Sequence, residues 1–497
     1  MTVARAPRGR HSTKPESGEA KQRWQSDWDV VVIGGGNAAL VAAISARERG
    51  ASVLVLERAA QDDRGGNTRH TRNVRCTHAD GQRFSPGTYL YDEMWRDLCS
   101  VGSGPTNERL AALTVSHSDD LPEWMSRHGI RWQAALRGTL QLARTNRFFL
   151  GGGKALLNRY VRTAVEAGII VEYEACVESL HLEDDVCVGL TVASGGVSHE
   201  LSARAYVCAS GGYEANVEWL ARSWGSAASN FHIRGPRYND GRVLQALYKG
   251  GAKSAGDARG FHAVAVDARS PRLNGGIATR VDAIPLGVVV NARGERFYDE
   301  GEDLWPKRYA TWGRIIAEQE NQISYCIYDQ KVVGSCVPPL YPPISAGSIG
   351  ELAGHLGLDP RTLTSTVDAF NAAVPQGRRI DASCLDGSST KGLVPAKSNW
   401  AQRLDAPPYL ALPLRPGITF TYRGVAVDKA ARVLREDGEA FGNLFAAGEI
   451  MSGNILSTGY LAGFGMTVGS VWGRIAGEHA AWVARRPVAR GGEPPFV

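Results

Sequence analysis

Asp29-Val-Val-Val-Ile33 runs without interruption into Gly34-Gly35-Gly36-Asn37-Ala38-Ala39, and an Ala-rich stretch continues to Gly50. Four β-branched residues in a row favour a strand, three glycines a tight turn, and the alanines a helix. Ser52-Val-Leu-Val-Leu56 reads as a second strand and leads into Glu57, 23 residues beyond Gly34. Strand, turn, helix, strand and acid at this spacing predict an α/β fold built on a Rossmann-like, dinucleotide-binding βαβ unit. Gly34 would make the turn, Gly36 would let the backbone approach a pyrophosphate, and Ala39 would allow helix and strand to pack closely. The first helical turn, at Asn37 and Ala38, would offer its unpaired N–H groups to the phosphates. Glu57, with Arg58 beside it, is placed to meet the adenosine ribose.

This fingerprint alone suits a nicotinamide or a flavin dinucleotide. Far along the chain, Gly442-Asn-Leu-Phe-Ala-Ala-Gly448-Glu449 reads as a strand ending in another acid, and a small-residue helix follows from about Leu461 to Ala484. A second contact so distant suits the longer cofactor, FAD, with Glu449 at its ribityl chain and the helix entry around Leu461 and Gly463 beside the flavin. The helix dipole would there face the pyrimidine edge, where negative charge gathers on reduction.

Of the 497 residues, 43% are hydrophobic and 22% charged, the profile of an ordinary globular enzyme with room for two or three domains. Six basic side chains (Arg5, Arg8, Arg10, Lys14, Lys21, Arg23) against Glu16 and Glu19 give the first 26 residues +4 of the net charge of +5. The body is therefore near neutral, which argues against nucleic acid as a partner. The tail itself reads as disordered. Eight cysteines lie at least ten residues apart, so no CxxC pair suggests zinc, an iron-sulfur cluster or a dithiol, and the scattered thiols suit a reducing cytoplasm. No apolar run approaches the ~20 residues of a membrane span. Nor does a hydrophobic segment follow the basic N-terminus as in a secretory signal. Any membrane attachment is expected to come through a partner.

Several longer strings extend the pattern: Arg64-Gly-Gly-Asn-Thr-Arg-His-Thr-Arg-Asn73, Arg144-Thr-Asn-Arg-Phe-Phe-Leu-Gly-Gly-Gly-Lys-Ala155, Gly294-Glu-Arg-Phe-Tyr-Asp-Glu-Gly301 and Trp305-Pro-Lys-Arg-Tyr309. With the fingerprint they make the chain, from about Asp27 to Arg486, resemble the succinate dehydrogenase/fumarate reductase flavoprotein superfamily, and within it the branch of FAD-dependent tricarballylate dehydrogenases. The resemblance implies that Gly65-Gly66-Asn67-Thr68 passes beside the isoalloxazine and that Ala209-Ser210-Gly211-Gly212 is a strand end abutting the cofactor. His70 is not in the sequence context of the histidine that binds FAD covalently in respiratory members, so noncovalent FAD is expected.

Chemistry of this superfamily moves a hydride to flavin N5 while a proton leaves the adjacent carbon, and the protein must hold carboxylates and carry that proton. The resemblance assigns the proton to Arg308, working through Glu300, Glu302 or Asp303, and a substrate carboxylate to His262. Two departures stand out. Phe420-Thr421-Tyr422-Arg423-Gly424 replaces a segment that carries a second substrate histidine, and Gly459-Tyr460-Leu461 replaces one that carries an arginine clamp. A rearranged set drawn from Arg69, Arg72, Arg144 and Arg423 would suit a substrate with an additional carboxylate, since Arg clamps carboxylates in bidentate fashion.

The expected reaction is thus dehydrogenation of a small polycarboxylate, tricarballylate to cis-aconitate, with electrons passed to a membrane-bound iron-sulfur/haem protein. Two alternatives remain. One is another desaturase or reductase of the superfamily, fumarate/succinate-like or 3-ketosteroid dehydrogenase-like with Tyr460 as base; the other is a non-catalytic flavin electron-transfer protein. The resemblance further implies a discontinuous FAD domain, residues 27–264 and 411–486, with an inserted α+β capping domain at 265–410 and tails at 1–26 and 487–497. Residues 381–398 read as a mobile surface loop of the cap, and Trp124, Trp132 and the helical stretch 106–128 as core.

Overall fold

Val30, Val31 and Val32 have no exposed surface, because the strand Trp28–Ile33 lies at the centre of a parallel sheet covered on both faces. The computed structural model describes Trp24 and residues 27–79, 84–134, 144–377 and 379–485, so the two tails fall outside the described residues apart from Trp24. The central strand pairs in parallel with Ala203–Cys208 on one side and Val53–Leu56 on the other, Val31 standing opposite both Tyr206 and Leu54. Ile170–Glu172 extends one edge. Ala440–Ala446 extends the other, also in parallel, followed by the antiparallel edge strand Arg432–Leu434. Segments more than two hundred residues apart therefore share one sheet.

Gly34 follows the central strand with φ of +117°, and a Cβ there would stand 2.3 Å from the Ala209 carbonyl oxygen. Only glycine fits both constraints. The fingerprint helix is Asn37–Glu48. It packs along the C-terminal helix Phe464–Ala484, where small residues let the backbones approach: a Cβ on Gly477 would meet the Ala42 carbonyl oxygen at 2.2 Å. This last helix begins three residues later than expected from sequence, because Gly463 takes a left-handed conformation (φ +80°) and only the chain after it is helical.

A second, six-stranded sheet is organised by one strand of thirteen residues, Tyr409–Thr421. It pairs in parallel with His232–Ile233 and antiparallel with Phe261–Asp267, Ser324–Asp329 and Ile344–Ala346; Val288–Asn291 lies beyond Ser324–Asp329. Helices Ile349–Leu356 and Pro360–Ala373 contribute Leu352, Leu363, Val367 and Phe370 to a separate core with Val288, Val290 and Ile327. Residues 381–398 are fastened more firmly than a mobile loop: Lys397 is 1% exposed and its ammonium donates to the Gly287 carbonyl at 2.5 Å. Trp124 is core, in the helix Leu121–Arg127, and Trp132 is half-buried in a short strand. Among the described residues no helix is long and apolar enough to cross a membrane.

Candidate active site

A cavity of about 1360 Å³, its open mouth included, runs along the C-terminal edge of the parallel sheet. Gly34, Gly36, Asn37, Ala38, Glu57, Arg58, Gly66, Asn67, Thr68, Ala209, Gly211 and Glu449 all line it. The fingerprint helix opens on Gly36, which supplies no side-chain cap, so its first N–H groups face the cavity and suit a pyrophosphate. One of them, Asn37 N–H, donates to Thr68 Oγ1 at 3.0 Å and ties the helix to the Gly65–Thr68 turn. Glu57 marks one end. Its carboxylate accepts from the Ala59 N–H at 2.8 Å; burial pushes its pKa up while these backbone donors oppose the shift. Arg58 pairs with Asp240 at 2.7 Å in the same wall. Uncapped donors, an acid at one end and a second acid deep in the cavity are what a flavin dinucleotide requires, so these residues fit FAD. Leu461, expected at the cofactor, is fully buried and lines neither this cavity nor the smaller one beside it.

That second acid is one of a pair. Glu449 lines the cavity and Glu214, with no exposed surface, lies behind it. The amide nitrogen of Asn67 donates to both, at 2.7 Å to Glu214 and 3.1 Å to Glu449. Asn239 adds a bond to Glu214 at 2.6 Å, and the Thr421 N–H one to Glu449 at 3.0 Å. Among the described residues no Lys or Arg makes an ion pair with either. Burial, and for Glu449 the neighbouring Glu214 as well, push both carboxyls up from the ordinary carboxylate value. Sequence reasoning found Glu449 and missed Glu214, which no spacing rule singles out.

A smaller cavity of about 600 Å³ adjoins the first, and Asn67, Thr71, Thr419 and Tyr460 line both. Its wall adds His70, Arg72, Arg234, His262, Arg280 and Tyr309. A bulge prepares this wall: His262 pairs with Phe420 and Ala263 with Ile418, which leaves Thr419 as the extra residue. Thr419 Oγ1 accepts from Arg234 at 2.8 Å, and Arg234 Nε donates to the Gly276 carbonyl at 2.9 Å. Arg280 is clamped by Asp282 (2.7 and 2.9 Å), whose carboxylate also accepts from the Trp305 indole at 2.7 Å. One Arg72 guanidinium nitrogen is buried without a partner.

Burial, and then the Arg280 charge, push Arg72 and Arg234 each down to about 10, still cationic at neutral pH. Three guanidiniums thus share one neighbouring carboxylate, Asp282, leaving two positive charges uncompensated in the cavity wall. Such an excess is expensive unless an anion arrives. His262 is 4% exposed, neither ring nitrogen has a partner, and its ring stacks on Tyr460 at 3.8 Å. Burial, Arg234 and Arg280 hold its pKa well below 6.5, so it is neutral. Tyr460 Oη accepts from the Gly465 N–H at 3.0 Å. His70, pushed down to about 4 by burial and by Arg234, belongs to this cavity and does not line the larger one.

Of the four arginines proposed from sequence as a clamp, Arg72 alone lines the cavity. Arg69 pairs with Asp63 at 3.1 Å, Arg144 with Glu93, and Arg423 lies 6.0 Å from the Tyr248 ring. Arg308 pairs with Glu302 at 3.1 Å outside the cavity wall; Glu300 belongs to Arg296 at 2.6 Å, and Asp303 caps the Leu304 N–H at 2.6 Å. Sequence reasoning missed Arg234 and Arg280; the Arg280-Val-Asp282 spacing was the one local hint of a buried ion pair.

A glycine-walled dinucleotide cradle opening onto an arginine-lined cavity defines a flavin-dependent oxidoreductase. The chain belongs to the FAD binding domain family FAD_binding_2, whose model matches residues 29–465, and it is an FAD-dependent oxidoreductase of the fumarate reductase/steroid dehydrogenase superfamily. It is 26% identical over 474 residues to the NADH:fumarate oxidoreductase of Klebsiella pneumoniae (strain 342), covering 92% of this chain and 48% of that one. It is 25% identical over 476 residues to the fumarate reductase (cytochrome) of Shewanella frigidimarina, covering 92% and 78%. The chain thus spans about half the length of the Klebsiella relative. Its fold matches the crystal structure of a 3-ketosteroid-Δ4-(5α)-dehydrogenase from Rhodococcus jostii RHA1 in complex with 4-androstene-3,17-dione, with a TM-score of 0.72 and 23% identity over 94% of this chain and 100% of that one.

Proposed function

We propose that the protein dehydrogenates a CH–CH bond flanked by carboxylates in a small polycarboxylate, tricarballylate to cis-aconitate. The observation that carries this reading is the charge of the smaller cavity: Arg72, Arg234 and Arg280 against Asp282 alone. Three guanidiniums can each take one carboxylate of a tricarboxylate, and a neutral substrate has no use for them. FAD, held noncovalently in the larger cavity by the Gly34–Ala38 turn, Glu57 and Glu449, would supply the two-electron oxidant. The chain's own residues bind and orient. Arg234 and Arg280, held by Gly276, Thr419 and Asp282, present fixed donors. Neutral His262 offers one N–H to a carboxylate, and residues 265–410 act as a cap that excludes water. Electrons then leave to a separate acceptor, which we take to be a membrane-bound electron-transfer protein; the names of both relatives given above include an electron-carrying component besides fumarate.

A second reading, desaturation beside a ketone with Tyr460 as base, draws support from the Rhodococcus fold and from the Tyr460–His262 stack in the cavity. The uncompensated arginines weigh against it. Anaerobic titration of the FAD-loaded protein with tricarballylate, succinate and a 3-ketosteroid separates the readings. Bleaching of the oxidised flavin band by tricarballylate in preference to succinate supports the proposal. Bleaching by the steroid alone replaces it with the second reading, and bleaching by succinate alone reduces the substrate to a dicarboxylate.

A further inference from the structure

We propose that Tyr309 exchanges the proton with the substrate carbon, in place of its neighbour Arg308; the proposal rests on the dehydrogenation read above. The short helix Trp305–Arg308 sends three consecutive side chains in three directions. Lys307 reaches Asp97 at 2.8 Å and Arg308 reaches Glu302 at 3.1 Å, which pins the turn on two sides. Tyr309 lies in the cavity wall. Its ring sits 4.8 Å from the Arg280 guanidinium carbon, 5.8 Å edge-on from His262 and 6.5 Å from Tyr460.

Elimination among the cavity's titratable groups leads to the same residue. Arginines remain protonated while they hold carboxylates. An imidazolium at His262 would stand beside Arg234 and Arg280, and at His70 beside Arg234 and Arg69, so neither ring can retain a proton taken from substrate. Tyr460 stacks on neutral His262, whereas Tyr309 lies 4.8 Å from the Arg280 guanidinium carbon. Tyr309 remains, and the three guanidiniums of the wall stabilise the phenolate form it must adopt.

The step balances as follows. In dehydrogenation a C–H bond breaks, its proton bonds to the Tyr309 oxygen, and the electron pair left behind becomes the C=C bond. The adjacent carbon loses a hydride, so the two electrons go to the flavin and the substrate is oxidised. When product leaves, the phenol returns its proton to solvent through the cavity mouth.

The groups facing this phenol are Arg280 with Asp282 behind it, Arg234, Arg72, Arg75, neutral His262 and Tyr460. Burial raises the phenol above its ordinary value and the guanidiniums oppose the shift. Phenol therefore predominates near neutral pH, and the rate of dehydrogenation rises with pH as phenolate forms.

The test is stopped-flow bleaching of the FAD-loaded protein by tricarballylate between pH 6 and 10, with substrate affinity read separately from the perturbation of the oxidised flavin spectrum. Tyr309→Phe is expected to bind substrate within about threefold of wild type, to bleach about 10² to 10⁴ times more slowly, and to lose the rise with pH. Arg308→Gln is expected to lose less than tenfold and to keep the rise. A fast Tyr309→Phe with a slow, flat Arg308→Gln would overturn the proposal and return the proton to Arg308. A Tyr309→Phe that fails to bind would make Tyr309 part of the substrate clamp instead. Wild type that binds but is bleached by no polycarboxylate would reject the underlying function, a result distinct from either.

Discussion

The two adjoining cavities hold charge in opposite ways. The larger is walled by glycine and backbone N–H; Arg58 in its wall is paired with Asp240, and its carboxyls Glu57 and Glu449 make no ion pair among the described residues. The smaller is walled by three guanidiniums around one carboxylate. The two nevertheless adjoin, and Asn67, Thr419 and Tyr460 belong to both. Recognition through backbone demands a particular chain path, whereas recognition through side chains demands only that they arrive.

Breaking the cradle should have the largest effect. Gly34→Ala puts a Cβ 2.3 Å from the Ala209 carbonyl oxygen at a φ that alanine avoids, so the protein should purify with less than about a tenth of its flavin and no turnover. The flavin-to-protein absorbance ratio measures this. Breaking the cavity should leave the flavin in place. Arg280→Ala removes one clamp and strands the buried Asp282 carboxylate, so affinity for tricarballylate should fall at least about 100-fold. Stability should fall by about 3 to 5 kcal/mol. A double variant that also converts Asp282 to Asn should recover stability and not affinity, which calorimetry and substrate titration would distinguish.

The smallest effect sharpens the comparison at the carboxyl pair. Folded-state pKa values of Glu214 and Glu449 are raised, so the folded protein binds protons more tightly than the unfolded chain. Their contribution to stability is complete below the ordinary carboxylate pKa of about 4.3 and is lost as pH rises toward the raised values. Glu214→Gln keeps the acceptor for Asn67 and offers Glu449 a permanent donor. Its Tm should therefore gain on wild type by about 2 °C or more between pH 5 and pH 9. A gap that stays constant with pH would show that the pair does not share a proton.

Legibility in the sequence followed the same division. Gly34, Gly36, Glu57 and Glu449 were found because a parallel strand, a bare helix N-terminus and an acid must recur at fixed separations, and the cavity lining includes each of them. Arg72, Arg234, Arg280 and Tyr309 come from four distant segments and converge only after the second sheet forms, so no local spacing ties them together. Arg69, Arg144 and Arg423, proposed with Arg72 as a rearranged clamp, instead found other partners: Asp63, Glu93 and the Tyr248 ring. Arg308 and Tyr309 differ by one position, yet the turn between them separates an outer ion pair from the cavity.

The bulge at Thr419 changes the parity of the thirteen-residue strand. Counted by simple alternation from Tyr409, Phe420 and Thr421 would face opposite to the sides they take after the extra residue. Deleting that one residue would restore an ideal ladder with Phe261–Asp267 and at the same time turn the Thr421 N–H away from Glu449 and deprive Arg234 of its hydroxyl. The strand can be more regular or the two cavities can be joined, and this sequence carries the irregular count.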